Sequence, residues 1–173
     1  MMAGHRLGEA FFHRDCLVVA PELVGKVLVR RLPDGTLLRE RIAETEAYRG
    51  TEDLGCHAAK GRTPRNELLW RESGTIYVYL CYGIHHLMNV ITGEAEQPQG
   101  VLFRAGVTHD GPGKLTKYLQ VDKSFNGGSF LTNTAIWLED DGFVCRTRTA
   151  PRVGIDYAGD EWKQMPWRWI LVP

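Results

Sequence analysis

The chain has no excess of charge of either sign and no long apolar run, and both absences exclude classes of protein. Lysine and arginine together number 21, as do aspartate and glutamate, so the formal net charge of the 173 residues is zero. Any attraction to a polyanion must therefore come from local clusters rather than from the overall balance. Without an N-terminal apolar segment or a long uninterrupted apolar run, we expect neither secretion nor a membrane span.

The chain also lacks paired cysteines. Cys16, Cys56, Cys81 and Cys145 are scattered without a CxxC pair, which argues against a zinc ribbon or a redox motif. A reduced, intracellular protein is the simplest interpretation. A chain of 173 residues with 43% hydrophobic residues can bury one hydrophobic core and is too short for two. We therefore expect a single domain over residues 1–173.

Local patterns predict short helices among mainly antiparallel strands. Turn signals, caps and alternation place a helix at 15–24, a hairpin at 27–31 and 37–48, strands at 76–82, 87–92, 100–105 and 135–139, and a helix from about 112 to 119. The aromatic segment 162–170 can be assigned only to core or packing surface. The predicted fold class is α+β, with a curved, mainly antiparallel sheet, flanking short helices and a protruding β-hairpin.

Two carboxylates separated by one residue lie in the predicted strand that ends at Tyr48. Side chains on a strand alternate between faces, so Glu44, Glu46 and Tyr48 share one face. A buried unpaired carboxylate costs several kcal/mol, so a strand that only packs a core has no reason to carry this pair. A solvated face is the plain alternative on this segment alone. Glu46 is the leading candidate for a general base.

Other polar residues interrupt apolar segments. Arg104 lies within 101–105 and Asn89 within 87–91, each where an apolar residue is expected, and His57 follows in a Gly-rich loop. Single intrusions of this kind are usually structural hydrogen bonders. Several that converge on one sheet indicate a polar pocket in an apolar wall.

A protruding aromatic and a basic loop suggest a nucleic-acid surface. Tyr82 precedes Gly83 at the tip of a predicted hairpin, where a side chain can protrude. Lys60, Arg62 and Arg65 cluster in a loop broken by Gly and Pro. An aromatic at a hairpin tip beside a basic loop has the shape of a wedge that enters a base stack.

Ten segments, in order along the chain, make the interpretation specific. They are 43–50 (AETEAYRG), 56–58, 61–66 (GRTPRN), 77–79, 82–83, 88–89, 101–105 (VLFRA), 111–115 (GPGKL), 123–125 and 152–155. Together they resemble the alkyladenine (3-methyladenine) DNA glycosylase family over nearly its whole catalytic domain. The resemblance implies a base-excision repair enzyme that flips a damaged purine out of duplex DNA and hydrolyses its N-glycosidic bond.

The resemblance also implies roles for residues near Glu46. Glu46 would activate the attacking water and Arg104 would help to hold that water. Tyr48, His57 and Tyr79 would enclose the flipped base, with Tyr48 stacking on one face. We therefore expect Glu46 to border a cavity with phenolic walls, while Glu44 supports the structure.

The DNA contacts implied by the resemblance lie further along the chain. Tyr82 would fill the gap left by the flipped base, and Asn89 would discriminate against the exocyclic amino group of normal guanine. Arg62, Arg65 and Lys114 are assigned to phosphate contacts. The expected partner is double-stranded DNA with damaged purines, and the protein is expected to be a monomer without cofactor or metal. If the source is bacterial, the expected location is the cytoplasm, in association with the nucleoid.

Three alternatives compete with this interpretation. A Schiff-base lyase could use Lys60 or Lys114, but neither matches a catalytic position of the family, so a monofunctional enzyme is predicted. A metal-dependent hydrolase could use His57, His85, His86 and the glutamates, but no ligand spacing such as HExxH is present. A non-catalytic nucleic-acid binding module would use the tyrosines and the basic loop without chemistry.

Overall fold

A nine-stranded antiparallel sheet dominates the computed structural model, which describes residues 3–173. The strands are β1 (His5–Arg6), β2 (Val27–Arg31), β3 (Leu37–Arg49), β4 (Ile76–Cys81), β5 (His85–Ile91), β6 (Gln99–Gly106), β7 (Ile136–Asp140), β8 (Arg146–Ala150) and β9 (Arg168–Val172). The helices are α1 (Glu9–Phe12), α2 (Cys16–Leu23), α3 (Pro112–Leu119) and α4 (Asp160–Lys163). Short 3-10 turns cover His57–Lys60, Glu67–Trp70, Lys123–Phe125 and Asp156–Ala158.

The strand order is β1-β7-β2-β3-β6-β5-β4, and β9 joins β3 while β8 pairs with β9. The predicted α+β class with mainly antiparallel pairing is therefore confirmed. The prediction of one domain over 1–173 includes two residues that lie outside the described part. None of the helices within 3–173 combines the length and the apolar character needed to cross a bilayer.

Strand alternation divides the central sheet into two chemically different faces. Ala47 pairs with Val101, Val101 with Val90, and Val90 with Ile76. This row is fully buried and faces the main core, to which α2 and α3 contribute their apolar side chains. The helices therefore cover this core face, and burial of its apolar surface is the main stabilising contribution of the fold.

The opposite side, called the site face below, carries the next register row. Glu46 pairs with Leu102, Leu102 with Asn89, and Asn89 with Tyr77. Because directly paired residues point to the same side of a sheet, the candidate residues of β3, β4 and β5 share this face. Glu46 and Tyr48 of β3 share this face, as the alternation predicts, since their side chains are hydrogen-bonded to each other.

The predicted helix after Asp15 is confirmed as α2. The Asp15 carboxylate accepts a hydrogen bond from the Leu17 amide at 2.9 Å, which satisfies one of the free N–H groups of the first turn. The helix ends at Leu23, and Gly25 follows with φ of 92°. Glycine takes this left-handed conformation without a steric penalty, so the chain turns directly into β2.

The hairpin between β4 and β5 protrudes as predicted. Tyr82 and Gly83 both have positive φ, 52° and 67°, and Tyr82 is 90% exposed. A left-handed conformation is uncommon for a tyrosine and has an energetic cost. The turn therefore holds this large aromatic side chain in solvent at the tip.

The C-terminal strands were not predicted. β8 and β9 are antiparallel neighbours. On its other edge, β9 pairs with β3 at Glu44, Thr45 and Glu46. Trp167 and Trp169 of the aromatic segment pack against the main core. For these two residues the core alternative of the expectation holds. The strand β9, which pairs with β3 at Glu46, was not predicted.

Candidate active site

Glu46 is completely shielded from solvent and accepts hydrogen bonds at both carboxylate oxygens. Its Oε1 accepts from the Tyr48 hydroxyl at 2.7 Å, and its Oε2 accepts from the Val153 amide at 2.8 Å. The Nε of Arg104 lies 3.8 Å from Oε2. Two donors and a nearby cation stabilise a carboxylate that burial alone would penalise.

A β-bulge turns Arg104 towards this carboxylate. Phe103 pairs with Thr45 and Ala105 with Glu44, so Arg104 is an extra residue in β6 without a partner across the ladder. Bulges re-aim a side chain and are frequent beside functional sites. The 3.8 Å separation exceeds a direct hydrogen bond, and one water molecule can bond to two groups at this distance.

Tyr48 is held on two sides. Its hydroxyl donates to Glu46, and the guanidinium carbon of Arg152 lies 4.8 Å from its ring centroid. Burial, followed by the neighbouring Glu46 charge, raises the pKa of Tyr48 well above its ordinary value. The phenol therefore stays protonated and remains a donor to the carboxylate.

A buried ion pair fastens the residues that contact Glu46. Arg152 and Asp53 form a bidentate pair, with Nη1–Oδ2 at 2.6 Å and Nη2–Oδ1 at 2.8 Å, and both side chains are fully buried. Arg152 also donates to the Ala47 carbonyl at 3.0 Å. The pair therefore joins the loop after β3 to the segment that presents the Val153 amide.

The Asp53 carboxylate also organises its own loop. It accepts from the amides of Arg49 and Gly55, both at 2.9 Å. The Arg152 guanidinium lies over Tyr48 and also 5.1 Å from the Trp167 ring centroid, and its Nε is buried without a partner among the described residues. Sequence reasoning missed Asp53 and the Val153 amide, because partners 99 and 107 residues apart leave no local signal.

An aromatic wall extends from the site towards the hairpin. The Nδ1 of His57 lies 2.9 Å from the Tyr77 hydroxyl, and its ring centroid lies 4.6 Å from that of Tyr79. The Tyr77 and Tyr79 centroids are 5.4 Å apart. Burial lowers the pKa of His57, and the positive charges of Arg65 and Lys60 lower it further. The His57 ring is therefore neutral near pH 7.

Asn89 is buried on the site face and donates from Nδ2 to the Tyr77 carbonyl at 3.2 Å. It lies in the same register row as Glu46, with Leu102 between them. The structure thus brings together Glu46, Tyr48, Arg104, Asn89, His57 and Tyr79 on one side of the sheet.

Comparison with known proteins decides the family. A family model described as methylpurine-DNA glycosylase matches residues 10–110 and 107–172. This chain belongs to the methylpurine-DNA glycosylase family. The match spans every residue of the site described above, including the segment that holds Arg152 and Val153.

Curated relatives agree with the family assignment. A protein of Psychrobacter cryohalolentis is 43% identical and aligns over 88% of this chain and 87% of its own length. A protein of Desulfitobacterium hafniense is 41% identical and aligns over 96% of this chain and 95% of its own length. A protein of Myxococcus xanthus is 42% identical and aligns over 95% of this chain and 89% of its own length. All three carry the provisional name 3-methyladenine DNA glycosylase.

The residues assigned to the DNA backbone in this family member lie outside the central cluster. Arg62 is paired with Glu96 at 2.8 Å, and its guanidinium carbon lies 5.5 Å from the Trp70 ring centroid. Arg65 donates to the Leu80 carbonyl at 3.2 Å. Lys114 is exposed in the first turn of α3. Their assignment to phosphate contacts stays a prediction.

Among residues 3–173, Glu46 has no exposed surface and accepts hydrogen bonds from Tyr48 and Val153, so the carboxylate does not border the open cavity expected beside it. An open groove of about 640 Å³ lies elsewhere, and its lining includes Asp15 and Arg49. These two side chains already pair with each other at 2.6 Å. The lining of this groove, over the described part of the chain, does not include Glu46 or any of the side chains that contact it.

Within residues 3–173, no cluster of three or more His, Cys, Asp or Glu side chains is arranged to hold a metal ion. His85 and His86 are neighbours in β5 and therefore point to opposite faces. The histidines proposed for a metal-dependent hydrolase do not converge on a ligand set.

Proposed function

We propose that the protein is a monofunctional DNA glycosylase that flips an alkylated or deaminated purine out of duplex DNA and hydrolyses its N-glycosidic bond, leaving an abasic site. The observation that carries the proposal is the buried Glu46 carboxylate, held by Tyr48 and Val153 within reach of Arg104. Each carboxylate oxygen has two acceptor positions. Each of the two can therefore accept one further bond from a water molecule once the side chains that cover Glu46 are displaced.

The water would be activated by Glu46 and oriented by Arg104. Glu46 would accept its proton as the oxygen attacks the anomeric carbon, while Arg104 would bond to the same water across the 3.8 Å separation. Alkylation at a ring nitrogen makes the purine cationic, so the base leaves without a strong acid. A single carboxylate is then sufficient, whereas ordinary glycosidases need two.

The aromatic side chains would form the base pocket. Tyr48 and Tyr79 offer electron-rich rings that attract a cationic base. His57, neutral because of its lowered pKa, would add a hydrogen-bond partner without repelling that cation. Asn89 would discriminate against the exocyclic amino group of normal guanine.

Because Glu46 is fully shielded, entry of a base requires displacement of the side chains that cover it. Tyr82 would occupy the gap in the duplex, since it is 90% exposed at the hairpin tip. Base stacking on such a ring contributes about 1–3 kcal/mol, and extrusion of a nucleotide costs a few kcal/mol. The two contributions nearly cancel, so a damaged or weakly paired base is selected.

The experiment is incubation of the protein with a duplex that carries one hypoxanthine or N-methylpurine, followed by alkaline cleavage at abasic sites. The proposal predicts cleavage at the lesion only, unchanged by EDTA. Borohydride in the incubation should trap no protein–DNA adduct, because no lysine forms a Schiff base. Cleavage without alkali, a trapped adduct or loss of activity in EDTA would each contradict it.

A non-catalytic nucleic-acid binding module is the second candidate. One observation favours it, namely that both oxygens of Glu46 are already engaged and the carboxylate is fully buried. In that case Glu46 only stabilises the sheet, and no lesion-dependent cleavage should appear at any enzyme concentration.

A further inference from the structure

The C-terminal strands extend the site face sideways. Glu44 of β3 pairs with Ile170 of β9, and Ile170 pairs with Arg148 of β8. Because directly paired residues share a face, Arg148 lies on the same side of the sheet as Glu44 and Glu46. Arg146, two residues away on β8, shares that side as well.

The dimensions of this extension follow from strand geometry. Adjacent strands lie about 4.8 Å apart, so β8 is about 10 Å from β3 in the plane of the sheet. Arg146 and Arg148 are separated by about 6.7 Å along their strand. Two long, exposed arginine side chains therefore lie near each other on this part of the site face.

The charges on this part of the site face do not cancel. Arg104 lies 3.8 Å from Glu46, and Arg168 donates to Glu44 at 3.1 Å. Arg146 and Arg148 are both exposed, and within residues 3–173 neither has a side-chain hydrogen bond or an ion pair. Two acids are thus matched by two arginines, and two further arginines are left facing solvent.

Protection of the sheet edge is the other use of charge on such a strand. Within the described residues 3–173, β8 pairs only with β9, and charged residues on an edge strand hinder edge-to-edge association. Charge on either face would serve that purpose. Here the opposite face carries Thr147 and Thr149, so the positive charge is confined to the side that also carries Glu46.

We propose that Arg146 and Arg148 form a phosphate-binding strip for the DNA strand that enters the site. The inference rests on the proposed glycosylase function and adds a contact surface to it. The strip supplies local positive charge to a protein whose net charge is zero. Arginine is suited to this role because its planar fork bonds phosphate oxygens in pairs.

The test is the salt dependence of binding to an undamaged duplex, measured by fluorescence anisotropy between about 50 and 200 mM salt. Loss of each phosphate contact reduces the slope of log K against log salt by about 0.9. The variant Arg146→Gln/Arg148→Gln should therefore lower the slope by about 1.8 in total. Its excision rate at saturating enzyme should equal that of the wild type.

The matched control is Arg14→Gln/Arg31→Gln, which removes two positive charges elsewhere. Arg14 bonds to Glu22 of α2 at 2.8 Å, and Arg31 lies over Trp137, 5.0 Å from its ring centroid. The control should leave the slope unchanged. An unchanged slope in the strip variant, or an equal decrease in the control, would overturn the proposal.

The test separates the strip from the glycosylase proposal. If the wild type excises lesions and the strip variant keeps the full slope, the strip is wrong and the glycosylase stands. If the slope falls but the wild type excises nothing, the strip stands as a DNA-binding surface and the glycosylase proposal fails. Thermal melting of both variants checks that the exchanges, all at the surface of the fold, leave it intact.

Discussion

At the scale of single residues, the environment of Glu46 explains how a carboxylate can persist inside a sheet. A hydrogen bond to a charged group contributes about 1.5–3 kcal/mol, and Glu46 accepts two, from Tyr48 and Val153. These bonds also fix the direction of both oxygens. A base that must receive a proton at a defined position gains from being held in this way.

The exchange Tyr48→Phe removes one of these donors and leaves a buried acceptor without its partner. We expect the free energy of unfolding to fall by about 1–3 kcal/mol, measured by urea denaturation. Excision should also slow, since Oε1 loses its anchor. The control Tyr118→Phe removes a hydroxyl from a ring stacked on His109 and should change the stability by less than about 0.5 kcal/mol. Equal stability of Tyr48→Phe and wild type would contradict the assigned bond.

The lowered pKa of His57 gives a prediction about acid stability. In the unfolded chain His57 takes up its proton around its ordinary value of 6.5, whereas burial keeps it neutral to lower pH in the folded chain. The unfolded state therefore binds more protons below pH 6.5, so the free energy of unfolding falls as the pH decreases through this range. Above pH 6.5, His57 is mostly neutral in both states and the free energy of unfolding does not fall for this reason.

The variant His57→Gln should lose less stability than the wild type between pH 7.5 and 5, because all other titrating groups are common to both. The measurement is the melting temperature of each protein across that range. Parallel curves would show that His57 titrates alike in both states and would contradict the assignment.

At the scale of elements, the Arg152–Asp53 pair connects the end of β3 and its following loop to a segment 99 residues further along the chain. The exchange Asp53→Asn leaves the Arg152 charge buried without its counter-charge. Breaking a buried pair in this way costs about 3–5 kcal/mol, so we expect a loss of that size in urea denaturation. Excision should fall together with stability, since the Val153 amide and the Tyr48 ring lose their support.

Asp141→Asn is the matched control for this pair. Asp141 also forms a bidentate bond with an arginine, Arg41, at 2.8 and 3.0 Å, but at the other end of β3. It should lower the stability without lowering the excision rate of the folded protein at saturation. If Asp53→Asn had the same excision rate as the control, the pair would be structural only.

The β4–β5 hairpin presents Tyr82 at its tip, where its proposed contact with DNA can be tested. Tyr82→Ala should weaken binding to lesion-containing duplex by about 5–150-fold, the equivalent of about 1–3 kcal/mol for the loss of one stacking ring. Stability should change little, because Tyr82 is 90% exposed. Leu37→Ala, another exposed apolar residue at the start of β3, should leave binding unchanged. Equal affinities of Tyr82→Ala and wild type would contradict the proposal that Tyr82 fills the gap in the duplex.

At the scale of the whole molecule, local rules predicted the elements and long-range contacts assembled the site. Strand alternation placed Glu46 and Tyr48 on one face, and the glycine turn placed Tyr82 at a tip, since both depend on neighbours in the sequence. The closure of the site by Val153 depends on pairings more than 100 residues apart. No periodicity or spacing carries that information, so β9, Asp53 and the shielding of Glu46 were not predicted.

The central claim is that the Glu46 carboxylate activates the hydrolytic water. The most direct measurement is the single-turnover excision rate of Glu46→Gln on a duplex with one hypoxanthine, with binding of the same duplex measured in parallel. Loss of a general base costs about 100-fold to 10,000-fold, so we predict a rate reduced at least about 100-fold with nearly unchanged affinity. A variant that excises at the wild-type rate, or that loses affinity in proportion to its rate, would contradict the account.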